Sequence, residues 1–212
     1  MTSLRRVLSL GVVLTAITGV LALKSENEGR EGARRGYALE LLWWPEYCHE
    51  HPELRYCAGA SFRGFVPVEF ADISSNGQVE TCAGAIKSFN PDRKLLSLLP
   101  DEALLRSQWD AHGTCSGLSQ SKYFDHVAAA FKSVTIPRKF VLPDHDFRMS
   151  PDEIKQEFLQ TNRGLSSDAL FVFCRSGFLS IVRIQTVRHA VPPRAICTDA
   201  TVEIIARMPL AE

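Results

Sequence analysis

The chain has no surplus of either charge. Lys and Arg together number 24, and so do Asp and Glu. No broad basic field exists to hold a polyanion, so any nucleic-acid contact has to come from a local site. No C-x-x-C pair occurs among the six cysteines, which weakens zinc binding as the reason for them. A nucleophile-elbow serine, a Walker loop and a dinucleotide fingerprint are also missing. Their absence removes serine hydrolases, P-loop nucleotidases and Rossmann oxidoreductases from consideration. Apart from one N-terminal stretch, no apolar run is long enough to cross a bilayer. Repeats and low-complexity tracts are absent, and a composition of 45% hydrophobic and 23% charged residues is that of a globular domain.

The N-terminal stretch has the layout of an export signal. Arg5 and Arg6 precede an apolar run from Val7 to Leu23, and Val20-Leu21-Ala22 supplies residues that a signal peptidase accepts. Cleavage near Ala22 is expected, with an uncleaved anchor as the alternative. The expected organisation is a signal over 1–22, a flexible charged leader over 23–36 and one domain over 37–212. Removal of 1–22 takes away Arg5 and Arg6 and no acid, leaving 22 basic and 24 acidic side chains and a net charge of −2. The six cysteines are Cys48, Cys57, Cys82, Cys115, Cys174 and Cys197. An even number behind an export signal points to three disulfides formed in an oxidising compartment, secreted or periplasmic. Spacing alone leaves 15 pairings open.

Residue patterns predict a mixed architecture. Tyr37 to Trp44 is an apolar, aromatic run that reads as a buried strand stopped at Pro45. Phe62 to Phe70 reads as a second extended segment. A helical pattern runs from Pro100-Asp101-Glu102 through Leu104, Leu105, Trp109 and His112, with Gly113 at its C-terminal end. That register puts Gln108 and His112 on one face. Ser119 to Ser133 carries an amphipathic stripe of Phe124, Val127, Ala128 and Phe131. Ser150-Pro151-Asp152-Glu153 combines an N-cap, a proline at the first helical position and a capping-box glutamate, opening a helix to about Thr161. Ala169 to Cys174 and Phe178 to Thr186 flank a Ser176-Gly177 turn, and Val202 to Ile205 adds a further strand. Helices in the middle and strands at both ends make the fold class α+β.

Ser107-Gln108-Trp109-Asp110-Ala111-His112-Gly113-Thr114-Cys115 resembles an active-site signature of the ribonuclease T2 family, His-Glu-Trp-x-Lys-His-Gly-Thr-Cys. Trp44-Pro45-Glu46-Tyr47-Cys48 resembles that family's Trp-x-Pro-x-Tyr-Cys region, and the resemblance runs from about Tyr37 to Met208. It implies a central, mostly antiparallel sheet with helices packed against it, and the disulfides Cys48–Cys57, Cys82–Cys115 and Cys174–Cys197. It also implies cleavage of RNA through a 2′,3′-cyclic phosphate without a metal or cofactor, by a monomer free of the membrane once the signal is removed.

The signature departs from the family where the chemistry lies. Ser107 stands in place of His, Gln108 of Glu and Ala111 of Lys. The family's second signature, His-Gly-Leu-Trp-Pro, is met by Arg63-Gly64-Phe65-Val66-Pro67, so its histidine is Arg63. Transesterification at phosphorus needs one group to take the 2′ proton and another to protonate the leaving oxygen. Of the two principal positions only His112 exchanges protons near neutrality, because arginine stays charged at any working pH. Arg63, Ser107, Gln108 and His112 are thus the expected remnant site for a phosphate or nucleotide. His49, His51, His126, His145 and His189 read as solvated or turn residues, any of which could stand in for the lost acid by proximity in space. Three readings follow: a minimal endoribonuclease, a protein that binds RNA or nucleotides without cleaving, and a partner-binding module on a disulfide scaffold.

Overall fold

The computed structural model describes residues 36–57, 64–74, 78–84, 87–186, 193 and 196–206. The expected signal and most of the leader lie outside them. Six strands form one sheet: β1 (Gly36–Trp43), β2 (Phe65–Ile73), β3 (Phe147–Met149), β4 (Leu170–Arg175), β5 (Phe178–Gln185) and β6 (Val202–Ile204). β2, β1 and β5 lie side by side, β4 pairs with β5, and β3 and β6 pair with each other. Every pairing is antiparallel except one parallel bridge, Phe178 to Glu203, between β5 and β6. The helices are α1 (Trp44–Glu50), α2 (Arg93–Leu98), α3 (Glu102–Gln108), α4 (Gln120–Lys132) and α5 (Pro151–Thr161). The predicted α+β class and mostly antiparallel sheet are both present, and the three disulfides pair as the resemblance implied.

The sheet is covered on both faces, which is why β1 is almost continuously apolar. Leu39, Leu41 and Trp43 enter one core with Phe65, Phe140, Ile154, Phe158, Leu170 and Val182. Leu42 faces the other core, where Trp44, Val66, Leu95, Leu105, Trp109, Phe124 and Val127 meet. Each large side chain removed from water this way contributes roughly 1.5–3 kcal/mol before its entropy loss is counted. Trp43 is fully buried, and its indole N–H donates to the carbonyl of Ile205 at 2.8 Å, tying β1 to the chain after β6.

Pro45 plays a different part from the one expected. It sits in the first turn of α1 rather than simply ending a strand, since proline fits where helical N–H groups have no partner anyway. Ser119 and Ser150 cap α4 and α5, and the capping box of Ser150 and Glu153 is complete. β2 carries a bulge: Leu41 faces Pro67 while Glu40 faces Glu69, so Val68 is extra. Pro67 has no N–H for the ladder and is tolerated on this outer strand. Without the extra residue, Glu69 would point to the opposite face of the sheet.

Candidate functional site

The signature segment begins as an ordinary helix and ends as an unusual one. Asp101 caps α3 by accepting the backbone N–H groups of Ala103 and Leu104 at 2.7 and 3.1 Å. Its other oxygen accepts the Tyr47 hydroxyl at 2.6 Å, linking α1 to α3. Burial opposes ionisation of Asp101, but donors from Tyr47, Tyr56 and the backbone outweigh it and hold its carboxyl below the usual 3.8. After Gln108 the chain widens into a π-helical turn over Trp109–Gly113, in which the Thr114 N–H reaches back to the Trp109 carbonyl at 2.9 Å. Such turns recur at functional sites. Gly113 is required there by contact rather than by a left-handed cap: a Cβ at this position would lie 2.0 Å from the Trp109 ring.

The turn aims His112 at the sheet. Its Nδ1 donates to the carbonyl of Glu80 at 2.9 Å. That carbonyl is held in place because Cys82 is bonded to Cys115, and the Cys82 N–H donates to the Ala111 carbonyl at 2.7 Å. Nε2 faces Glu69 Oε2 at 3.7 Å. Glu69 Oε1 in turn lies 3.8 Å from Arg183 Nη2. Arg183 donates through Nε to Glu40 Oε1 at 2.7 Å, and its Nη2 lies 2.5 Å from the same oxygen. Its guanidinium also sits 5.2 Å from the centre of the Phe173 ring, which restrains its orientation. Glu69, Glu40 and Arg183 therefore form one row across β2, β1 and β5, with His112 at its end.

Charge within this row is set by competition between burial and partners. Burial lowers the His112 pKa, but Glu69, the Glu80 carbonyl and Glu40 outweigh it and hold the ring above 6.5. Burial raises Glu69, but His112 and Arg183 prevail and hold it below 4.5. At Glu40 the order is reversed: burial, assisted by Glu69, prevails over Arg183 and raises the carboxyl. These neighbours favour the imidazolium form of His112, and both of its ring nitrogens are directed at acceptors.

The other predicted site residues are placed differently. Arg63 lies outside the described residues. Ser107 is exposed, and Gln108 is 3% exposed beside the Tyr123 hydroxyl, its carboxamide without a well-formed hydrogen bond. Among the described residues neither shares a hydrogen bond or ion pair with His112, whose partners are Glu80 and Glu69. His51 lies near Glu53, His145 beside Asp144, and the His49 ring meets that of Phe178 at a tilt, while His126 is exposed. His189 lies outside the described residues. Cys174, Cys197 and Asp199 converge, but both sulfurs are consumed by a disulfide, so they are no metal donor set.

Solved structures share this architecture. Trichomaglin, an S-like ribonuclease, aligns with a TM-score of 0.61 and 17% identity over 80% of this chain and 98% of its own. A ribonuclease MC1 variant in complex with 5′-UMP aligns with a TM-score of 0.57 and 17% identity over 79% and 97%. The fold is the ribonuclease T2 fold. A ribonuclease-related protein from Calystegia sepium has it too, with a TM-score of 0.56 and 16% identity over 81% of this chain and 97% of its own. Among curated sequences, a ribonuclease from Aeromonas hydrophila is 31% identical over 98 residues, a stretch spanning 46% of this chain and 45% of that relative. No family model matches the chain.

Within the T2 scaffold, three charged residues around His112 escaped the motif comparison. Glu40, Glu69 and Arg183 lie on strands, outside both signatures. Each had a signal nonetheless: a lone charge interrupts the apolar runs Ala38–Trp43, Phe65–Ala71 and Phe178–Ile184. A charge in a strand buried on both faces needs a partner.

Proposed function

We propose that this protein binds RNA or nucleotides through its ribonuclease T2 scaffold and cleaves RNA weakly or not at all. The observation carrying this reading is the engagement of His112 by its own chain. In-line displacement forms a bond from the 2′ oxygen to phosphorus and breaks the bond to the 5′ oxygen, so base and acid must stand on opposite sides of the phosphorus. His112 Nε2 faces Glu69 Oε2 at 3.7 Å, so Glu69 takes the place beside that nitrogen that a phosphoryl group would occupy. The acceptors around His112 favour its protonated form, which opposes its taking the 2′ proton. The other principal position is Arg63, which holds phosphate well but gives up no proton. Loss of one positioned acid or base lowers the rate by about 10²–10⁴. Binding survives such a change more readily than catalysis, since it needs cations and surface rather than a matched proton pair. That a structural neighbour was solved with 5′-UMP supports nucleotides as the ligand class. The three disulfides support maturation in an oxidising compartment, secreted or periplasmic.

Titration of the oxidised protein with 5′-UMP and with a short mixed-sequence RNA tests the binding half. Saturable binding that weakens with added salt, and again with Arg63→Ala, is expected. Absence of binding, or binding indifferent to both changes, would contradict it.

A further inference from the structure

We propose that Arg183 and His112 together form a phosphate site, and that Glu69 fills this site from within the chain. The inference rests on the nucleotide-binding reading and adds the groups that hold the phosphate. A single carboxylate stands between two cations, with Oε1 3.8 Å from Arg183 Nη2 and Oε2 3.7 Å from His112 Nε2. These are ion-pair separations, longer than hydrogen bonds, so Glu69 neutralises both cations without tight bonds to either. A phosphate presents two oxygens at nearly the same spacing and with more charge.

Arg183 is equipped for that exchange. A guanidinium has five N–H donors, and the close contacts of Arg183 go to one oxygen, Glu40 Oε1. Its Nη1 enters no bond or ion pair among the described residues. Glu40 is buried and anchors Arg183 whether or not Glu69 is present. Glu69 is the replaceable member: it lies directly opposite Glu40 across the strands, where like charges repel. Its side chain is also the most open of the three, 25% exposed against 17% for Arg183 and 7% for His112. The groups facing Glu69 are His112 from the π-helical turn, Arg183 from β5 and Glu40 from β1, and its charge also reaches the Tyr123 hydroxyl on α4. Rotation of Glu69 toward solvent would leave two cations and one buried anchor.

Inorganic phosphate is the probe. At constant ionic strength and a pH below the titration of His112, Glu69→Gln is expected to bind phosphate about tenfold more tightly than the unmodified protein, the size of one charge-assisted contact. The His112 ring and Arg183 Nε resonances are expected to shift together during that titration. Adding Glu40→Gln and Arg183→Gln to Glu69→Gln is expected to abolish the gain. A folded Glu69→Gln protein with no gain in affinity, a gain that outlasts loss of Arg183, or an unmoved Arg183 Nε resonance would overturn the proposal. If the unmodified protein binds RNA while Glu69→Gln gains nothing for phosphate, this site falls and the nucleotide-binding reading stands. If neither binds, both fall.

Discussion

Glu69 favours the charged form of His112 against the pull of burial, and His112 favours the charged form of Glu69 in return. With its folded pKa above 6.5, His112 contributes stability that is complete below 6.5 and lost as pH rises through the folded value. With its folded pKa below 4.5, Glu69 contributes stability present above 4.5 and lost as pH falls through the folded value. The ion pair is thus at full strength between those limits. NMR titration of the His112 ring should give a midpoint above 6.5 that moves down in Glu69→Gln. A midpoint unmoved by that substitution would show that His112 does not sense Glu69. Beside His112, Gly113 leaves the Trp109 ring no space for a methyl group. Gly113→Ala should cost about 1–3 kcal/mol, the usual range for overpacking, read from equilibrium unfolding. A neutral substitution would contradict the tight turn. His112 was legible from its tetrapeptide, whereas Glu40, Glu69 and Arg183 were not, because the motif comparison looked along the chain while these three meet across strands.

The elements around the site owe their placement to three local devices. The bulge at Val68 turns Glu69 to the His112 face, the π-helical turn carries His112 to it, and the Cys82–Cys115 bond presses the Glu80 carbonyl against the ring. The bond spans 33 residues. Replacing Cys82 and Cys115 together by alanine should therefore lower stability by about 3–4 kcal/mol on the chain-entropy estimate, measured by denaturant unfolding. It should also weaken the bond to His112 Nδ1. A loss near zero would show that the clasp is dispensable. Elements with long patterns or caps were readable in advance: α4 from its stripe, α5 from its capping box, β4 and β5 from their turn. Short β6 was read from its β-branched residues, but α2 and β3 were not. α2 and β3 span only six and three residues, too few for periodicity, and Pro45 serves a helix start and a strand end equally well. The π-helical turn differs from an α-helix by a single hydrogen-bond step, which no spacing of apolar residues announces.

At the scale of the molecule, a T2 fold with its sheet and disulfides intact encloses a site whose charges satisfy one another. RNA cleavage of the kind that the resemblance implies needs two proton-exchanging groups flanking a phosphate. In the function proposed here, the resemblance puts Arg63 at one of those positions, and His112, at the other, faces Glu69. Fold and disulfides were legible because they depend on apolar patterns and cysteines that the resemblance preserved. The self-neutralised charge row was not, because it arises from strand register. The central claim is that binding outlasts catalysis, and the rate of RNA cleavage by the oxidised protein in EDTA tests it most directly. The expected rate lies at least about 10²-fold below that of a two-histidine ribonuclease of this fold, with little further loss in His112→Ala. Cleavage at the full rate, abolished by His112→Ala, would contradict the account.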